Sequence, residues 1–140
     1  MVCRACNVLC MSVVLLMPTP SLVTDRLLNA IAQKESRNRP SAVGDRGLAI
    51  GAYQMQPIAY QDVQQFFPQM FGNVPYARLR TDPALQRQAS QAYLLVGEQK
   101  YGITELPRLI SFYNRGPRAR YGPITNQPYV TDVQRLMQAP

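Results

Sequence analysis

Apolar residues recur at helical spacing along most of this chain, and prolines and glycines separate one such stretch from the next. In the first stretch, Leu27 and Ile31 lie four residues apart, and Glu35 follows four residues later. Residues at this spacing share one face of a helix, so Glu35 continues the apolar face at the helix end. The repeated pattern predicts a small all-α domain.

Proline, glycine and capping residues indicate where the helices begin and end. Ser21 or Thr24 is expected to cap the first helix, which ends near Glu35. The stretches 38–51 and 67–81 are interrupted by glycine and proline and are expected to be irregular. Two further helices are expected over residues 57–66 and 128–137. A third is expected to begin at residue 83, after an Asp82 cap, and to end just before residue 102. A fourth is expected to follow a Thr104 cap and to end at residue 114.

The first 21 residues have the features of a secretory leader. Arg4 precedes an apolar run over residues 8–17, and a polar, proline-containing stretch follows. That run is too short to span a bilayer as a stable helix, so no membrane span is expected. We predict a leader over residues 1–21 and a single domain over residues 22–140. Translation from Met11 is an alternative start that would remove most of the leader.

Charge and cysteine usage limit the partners. Fifteen Lys and Arg against eight Asp and Glu give a formal charge of +7, which attracts polyanions in general. The arginines are scattered and no nucleic-acid motif organises them, so no nucleic-acid partner is predicted. The chain has no histidine, and its three cysteines all lie within the leader. Neither a metal site nor an organic cofactor is predicted.

Three short motifs carry the chemistry. They are Glu35-Ser36, the Gly-Ala-Tyr-Gln segment at residues 51–54, and the Phe-Tyr-Asn segment at residues 112–114. A carboxyl on an apolar face loses hydration, which raises its pKa and suits it to give a proton to a departing sugar oxygen. Amide and aromatic side chains are suited to binding a sugar.

The order and spacing of these motifs resemble those of the SLT-type lytic transglycosylases, whose signature is Glu-Ser, Gly-Leu-Met-Gln and Ala-Tyr-Asn. The resemblance runs from about Leu22 to Met137. It implies a lysozyme-like helical domain with a substrate cleft, which cuts the β-1,4 bond between N-acetylmuramic acid and N-acetylglucosamine in peptidoglycan. The chain departs from the signature at Ala52, Tyr53 and Phe112, where subsite shape and local packing are expected to differ.

The resemblance also implies roles for individual residues. Glu35 becomes the catalytic residue, which gives a proton and then takes one from the C6 hydroxyl of the muramic acid, so that a 1,6-anhydro product forms without water. Asp45 is the candidate second carboxylate, since it is the acid on the loop between Glu35 and Gln54. The residues expected to bind substrate are Ser36, Gly51, Tyr53, Gln54, Tyr113 and Asn114.

Several alternatives stay open at this point. The alternatives to a transglycosylase are a two-acid muramidase and a non-catalytic peptidoglycan-binding or assembly protein of the same fold. Glu35 could instead pair with Arg37 or Arg39, and Tyr53 and Tyr113 could serve the core. The expected location is periplasmic or secreted, or on the virion if a phage encodes the chain. A monomer is expected, acting in wall remodelling, a secretion machine or phage assembly and entry.

Overall fold

The computed structural model describes residues 18–140, and these are mostly helical. The predicted apolar run of the leader, its three cysteines and Met11 lie outside the described residues. The elements in chain order are α1 (Asp25–Ser36), β1 (Val43–Gly44), β2 (Ala49–Ile50), α2 (Pro57–Phe66), α3 (Pro68–Phe71), α4 (Pro83–Gln99), α5 (Leu106–Arg115) and α6 (Gln127–Gln138), with 3₁₀ turns at Asp45–Gly47, Tyr76–Arg80 and Gly116–Arg120. The prediction of a small, predominantly α-helical domain is confirmed.

Two helices, α1 and α4, begin at the capping side chains that the sequence offers. The side chain of Thr24 accepts a hydrogen bond of 3.2 Å from the Leu27 N–H at the start of α1, and α2 covers the predicted range. Asp82 caps α4 through a bond of 3.0 Å from the Leu85 N–H. The prediction that Thr104 caps the next helix is wrong, because α5 begins one residue later, after Glu105, which makes no side-chain capping bond.

The stretch 38–51 is more regular than predicted. Strands β1 and β2 pair antiparallel, with Val43 opposite Ile50 and Gly44 opposite Ala49. Each strand has two residues, which is too short for an alternating pattern to be visible in the sequence. The stretch 67–81 likewise contains α3 and a 3₁₀ turn instead of being irregular throughout.

The core lies where α1 packs against α6 and where α4 packs against α2 and α5. Phe112, which stands where the family signature has alanine, is fully buried and stacks on Tyr93 with ring centroids 4.7 Å apart. Gly97 on α4 makes room for it, since a Cβ there would lie 2.9 Å from the Phe112 ring. The large Phe112 side chain on α5 therefore fits against a glycine, which has no side chain, on the facing helix α4.

The predicted boundary between leader and domain falls where the chain is attached to α4. The Ser21 hydroxyl donates a hydrogen bond of 2.7 Å to the Glu98 carboxylate, and the Leu22 N–H donates to the same group. Within residues 18–140, no helix combines the length and the apolar character that crossing a membrane requires.

Candidate active site

A cleft of about 470 Å³ opens between the C-terminal end of α1, the segment around the two strands, α2 and the end of α5. Five of the eight predicted site residues line it, namely Glu35, Asp45, Gln54, Tyr113 and Asn114. The other three, Ser36, Gly51 and Tyr53, lie behind its wall. These five residues come from four separate stretches of sequence, and the folding of the helices brings them together.

Glu35 occupies the last turn of α1 and is half-buried at the cleft. The hydroxyl of Tyr129, on α6, donates a hydrogen bond of 2.6 Å to its carboxyl oxygen. Burial raises the pKa of Glu35 and is the largest influence, while the Tyr129 hydrogen bond and the charge of Lys34 lower it and the charge of Asp45 raises it. The net pKa is raised, so more of the carboxyl stays protonated near neutral pH than for an exposed glutamate.

The alternative of a Glu35–arginine ion pair does not occur in the described part of the chain. Arg39 instead donates from Nε to the carbonyl oxygen of Ser36 at 2.8 Å. Arg37 ends α1 in the left-handed conformation, at φ 58°, and its backbone N–H bonds to the last turn of the helix. Glu35 therefore stays available to the cleft.

Ser36 connects the first two motifs. Its buried hydroxyl donates a hydrogen bond of 2.8 Å to the carbonyl oxygen of Ala52 and accepts one of 2.9 Å from the Arg39 N–H. The hydroxyl is thus used within the protein. Ser36 holds residues 51–54 against the end of α1, which positions Gln54 relative to Glu35.

Gly51 faces Gln86 on α4, a residue that sequence reasoning missed. Gly51 has φ +82°, and a Cβ there would meet the Gln86 amide carbon at 2.3 Å. The buried Gln86 side chain accepts from the Ala52 N–H at 3.0 Å and donates to the carbonyl oxygens of Pro40 and Leu79 at 3.0 and 2.7 Å. The signal for Gln86 was a polar residue three positions before Ala89, and so on the apolar face of α4.

Tyr53 belongs to the core, which was one of its two open interpretations. Its side chain is 5% exposed, and its hydroxyl accepts a hydrogen bond of 2.9 Å from Arg87 on α4. Its backbone carbonyl accepts a bond of 3.0 Å from the hydroxyl of Tyr113. Tyr53 thus links the segment 51–54 to both α4 and α5.

Tyr113 both packs in the core and borders the cleft. Its hydroxyl lies 3.1 Å from Ser90 Oγ in addition to its bond to the Tyr53 carbonyl. Burial is the main cause of its raised pKa, and the charge of Glu35 adds to it. The tyrosine that bonds directly to Glu35 is Tyr129, which lies in the last predicted helix and was not among the predicted site residues.

Three amide side chains of the described residues line the cleft, Gln54, Gln56 and Asn114, and each makes a hydrogen bond within the protein. Gln54 has φ 48°, and its Nε2 donates to the Gly51 carbonyl at 3.0 Å. Asn114 Oδ1 accepts from Asn126 Nδ2 at 2.9 Å, and within residues 18–140 the Asn114 NH₂ group makes no hydrogen bond. In this part of the chain, Asn114 therefore keeps both of its amide N–H donors for a ligand and Gln54 keeps one.

Asp45 lies on the cleft at the 3₁₀ turn between the strands, with its carboxylate accepting from Gln56 Nε2. Its charge contributes to the raised pKa of Glu35, so the two carboxyls interact across the cleft. Within the described residues, no three or more Cys, Asp or Glu side chains cluster as metal ligands would.

No protein-family model, curated protein or solved structure matches this chain. The chemistry proposed below therefore depends on the geometry of the cleft and on the motifs that line or support it.

Proposed function

We propose that this protein is a lysozyme-like lytic transglycosylase that cleaves the β-1,4 bond between N-acetylmuramic acid and N-acetylglucosamine in peptidoglycan. The observation that carries the proposal is the carboxyl of Glu35, half-buried at a cleft, with a raised pKa and a hydrogen bond from Tyr129. Such a carboxyl can hold a proton near neutral pH and release it to a bridging sugar oxygen.

In the proposed reaction, Glu35 gives its proton to the glycosidic oxygen as the bond from that oxygen to C1 of the muramic acid breaks. The Tyr129 hydroxyl stabilises the carboxylate that is left. The C6 hydroxyl oxygen then bonds to C1, and its proton returns to Glu35. The 1,6-anhydro ring closes without consuming water, and no cofactor is needed.

A two-acid muramidase is the second candidate, and the position of Asp45 favours it. Asp45 shares the cleft with Glu35 and its charge acts on that residue. In this reaction Asp45 would act as nucleophile or base, and water would add to C1 to give a reducing end.

The test is incubation of the purified protein with peptidoglycan, followed by mass analysis of the released muropeptides. A transglycosylase gives products one water lighter than a hydrolase does, so one measurement separates the two candidates. Glu35→Gln is the matched negative control. Wild-type protein that binds peptidoglycan but releases nothing would favour the non-catalytic alternative.

A further inference from the structure

Two arginines, Arg115 and Arg118, line the same cleft as Glu35, and neither has a role in the proposed proton transfer. Both side chains are exposed. In the described part of the chain, neither makes a hydrogen bond or an ion pair. The hydroxyl and N-acetyl groups of the sugars give two guanidinium groups no charge to bind.

The acids on the other side of the cleft do not neutralise these arginines. Asp62 is paired with Lys100 Nζ at 3.4 Å, and Asp45 accepts from Gln56. Among residues 18–140, Asp45 has no cationic partner and keeps its negative charge, so the two arginines exceed the unpaired acid charge at the cleft and lie together at the end of α5, where an anionic ligand group would be attracted.

The segment that carries the arginines is held in place on both sides. Arg108, on α5, donates to the carbonyl oxygens of Ala119 and Gly122 at 2.8 and 3.1 Å. The guanidinium of Arg120 lies over the rings of Tyr101 and Tyr121, at 4.9 and 4.6 Å from their centroids. These contacts fix the backbone near Arg115 and Arg118, so that only the two side chains remain to be ordered when a ligand binds.

We infer that Arg115 and Arg118 form a carboxylate-binding subsite for the acidic substituent that N-acetylmuramic acid carries. This inference rests on the proposed function. The carboxylate has two sources: the lactyl group itself where the peptide is absent, and the stem peptide where it is present. Paired guanidinium–carboxylate hydrogen bonds are short, directional and stronger than neutral ones.

Binding by isothermal titration calorimetry, in the Glu35→Gln background so that nothing turns over, tests the inference. The probes are a peptide-free muramic-acid tetrasaccharide, the same fragment carrying stem peptides, and both with their carboxyls blocked as methyl esters. We expect each acid that uses the subsite to bind about tenfold or more tightly than its ester. The fragment that shows this difference identifies the carboxylate.

The variant pair R115Q/R118Q should abolish the difference between acid and ester and leave ester binding unchanged. The control R26Q/R80Q removes two exposed arginines outside the cleft, changes the net charge equally, and should keep the difference. An acid–ester difference that survives in R115Q/R118Q, or the absence of any difference in the Glu35→Gln protein, overturns the inference. Peptidoglycan cleavage by the wild-type protein is measured separately. Absence of cleavage would count against the proposed function, whereas the binding measurements alone decide whether the carboxylate subsite exists.

Discussion

The hydroxyl of Tyr129 donates a 2.6 Å hydrogen bond to the carboxyl of Glu35, 94 residues away in the sequence. This contact joins α6 to the end of α1 and lowers the pKa of Glu35, against the larger raising effect of burial. Tyr129 therefore limits how far the pKa of the buried acid rises.

Tyr129→Phe removes the donor and keeps the ring. Because the bond favours the charged carboxylate, its loss should raise the pKa of Glu35 further. The limb of the pH–rate profile on which activity falls as Glu35 loses its proton should move to higher pH. Peptidoglycan turnover measured across pH checks this, and an unmoved limb in a well-folded variant would contradict it.

Asp45→Asn should move the same limb in the opposite direction. The negative charge of Asp45 raises the pKa of Glu35, so removing it should lower that pKa. If Glu35 acts alone, the variant keeps substantial activity and still forms 1,6-anhydro ends. Reducing-end products from the wild type, together with an inactive Asp45→Asn, would assign the protein to the lysozymes instead.

Glu35→Gln should lose about 100- to 10,000-fold in cleavage rate, the usual contribution of general acid catalysis. It should also change stability in a pH-dependent way. A carboxyl whose pKa is raised on folding supports the fold fully below its ordinary pKa of 4.5, and that support is lost as the pH rises through the folded-state pKa. The melting temperature of Glu35→Gln minus that of the wild type should therefore increase from pH 4 to pH 7. A constant difference in melting temperature would contradict this.

Gln86→Ala should lower the free energy of unfolding by about 2 kcal/mol or more, because two buried backbone groups and one partly buried carbonyl lose their partner. Gln88→Ala, at an exposed position on the same helix, is the control and should change stability by less than about 0.5 kcal/mol. Urea unfolding of both variants checks the difference. Equal stabilities would show that Gln86 does not hold the segment behind the cleft.

Gly51→Ala should destabilise the protein for two reasons, a left-handed backbone and contact with Gln86. Gly102→Ala isolates the first, since its φ is +66° and nothing lies within 4 Å of the added Cβ. We expect a loss of about 1 kcal/mol for Gly102→Ala and a clearly larger loss for Gly51→Ala. Combining Gly51→Ala with Gln86→Ala should cost less than the sum of the two single changes, because the clash is then gone.

What the sequence predicted well was local. Thr24 and Asp82 cap their helices through bonds to an N–H three residues later, and Pro57 favours a helix start through its fixed φ. Each effect can therefore be read from neighbouring positions. Glu35 was placed on an apolar face by spacing alone. Thr104 failed as a cap because the chain enters α5 one residue later than the pattern indicates.

What the sequence could not predict was set by packing between distant segments. Ser36 and Tyr53 have polar groups that could equally face a sugar or the protein, and only the approach of Ala52 and Arg87 decides the matter. Tyr129 lies on α6, near the buried residues Val130 and Val133. Nothing in its spacing indicates that its hydroxyl meets a carboxyl on another helix.

The contact between α1 and α6 also affects when the proposed chemistry could begin. Glu35 lies near the start of the domain and its hydrogen-bond donor lies in the last helix described, so the two meet only once α6 has packed against α1. Contacts between such distant residues form at a high loop-closure cost and depend on the whole core. A partly folded copy would leave Glu35 in water with an ordinary acidity, and the capacity to cut a cell wall would appear only with the finished fold.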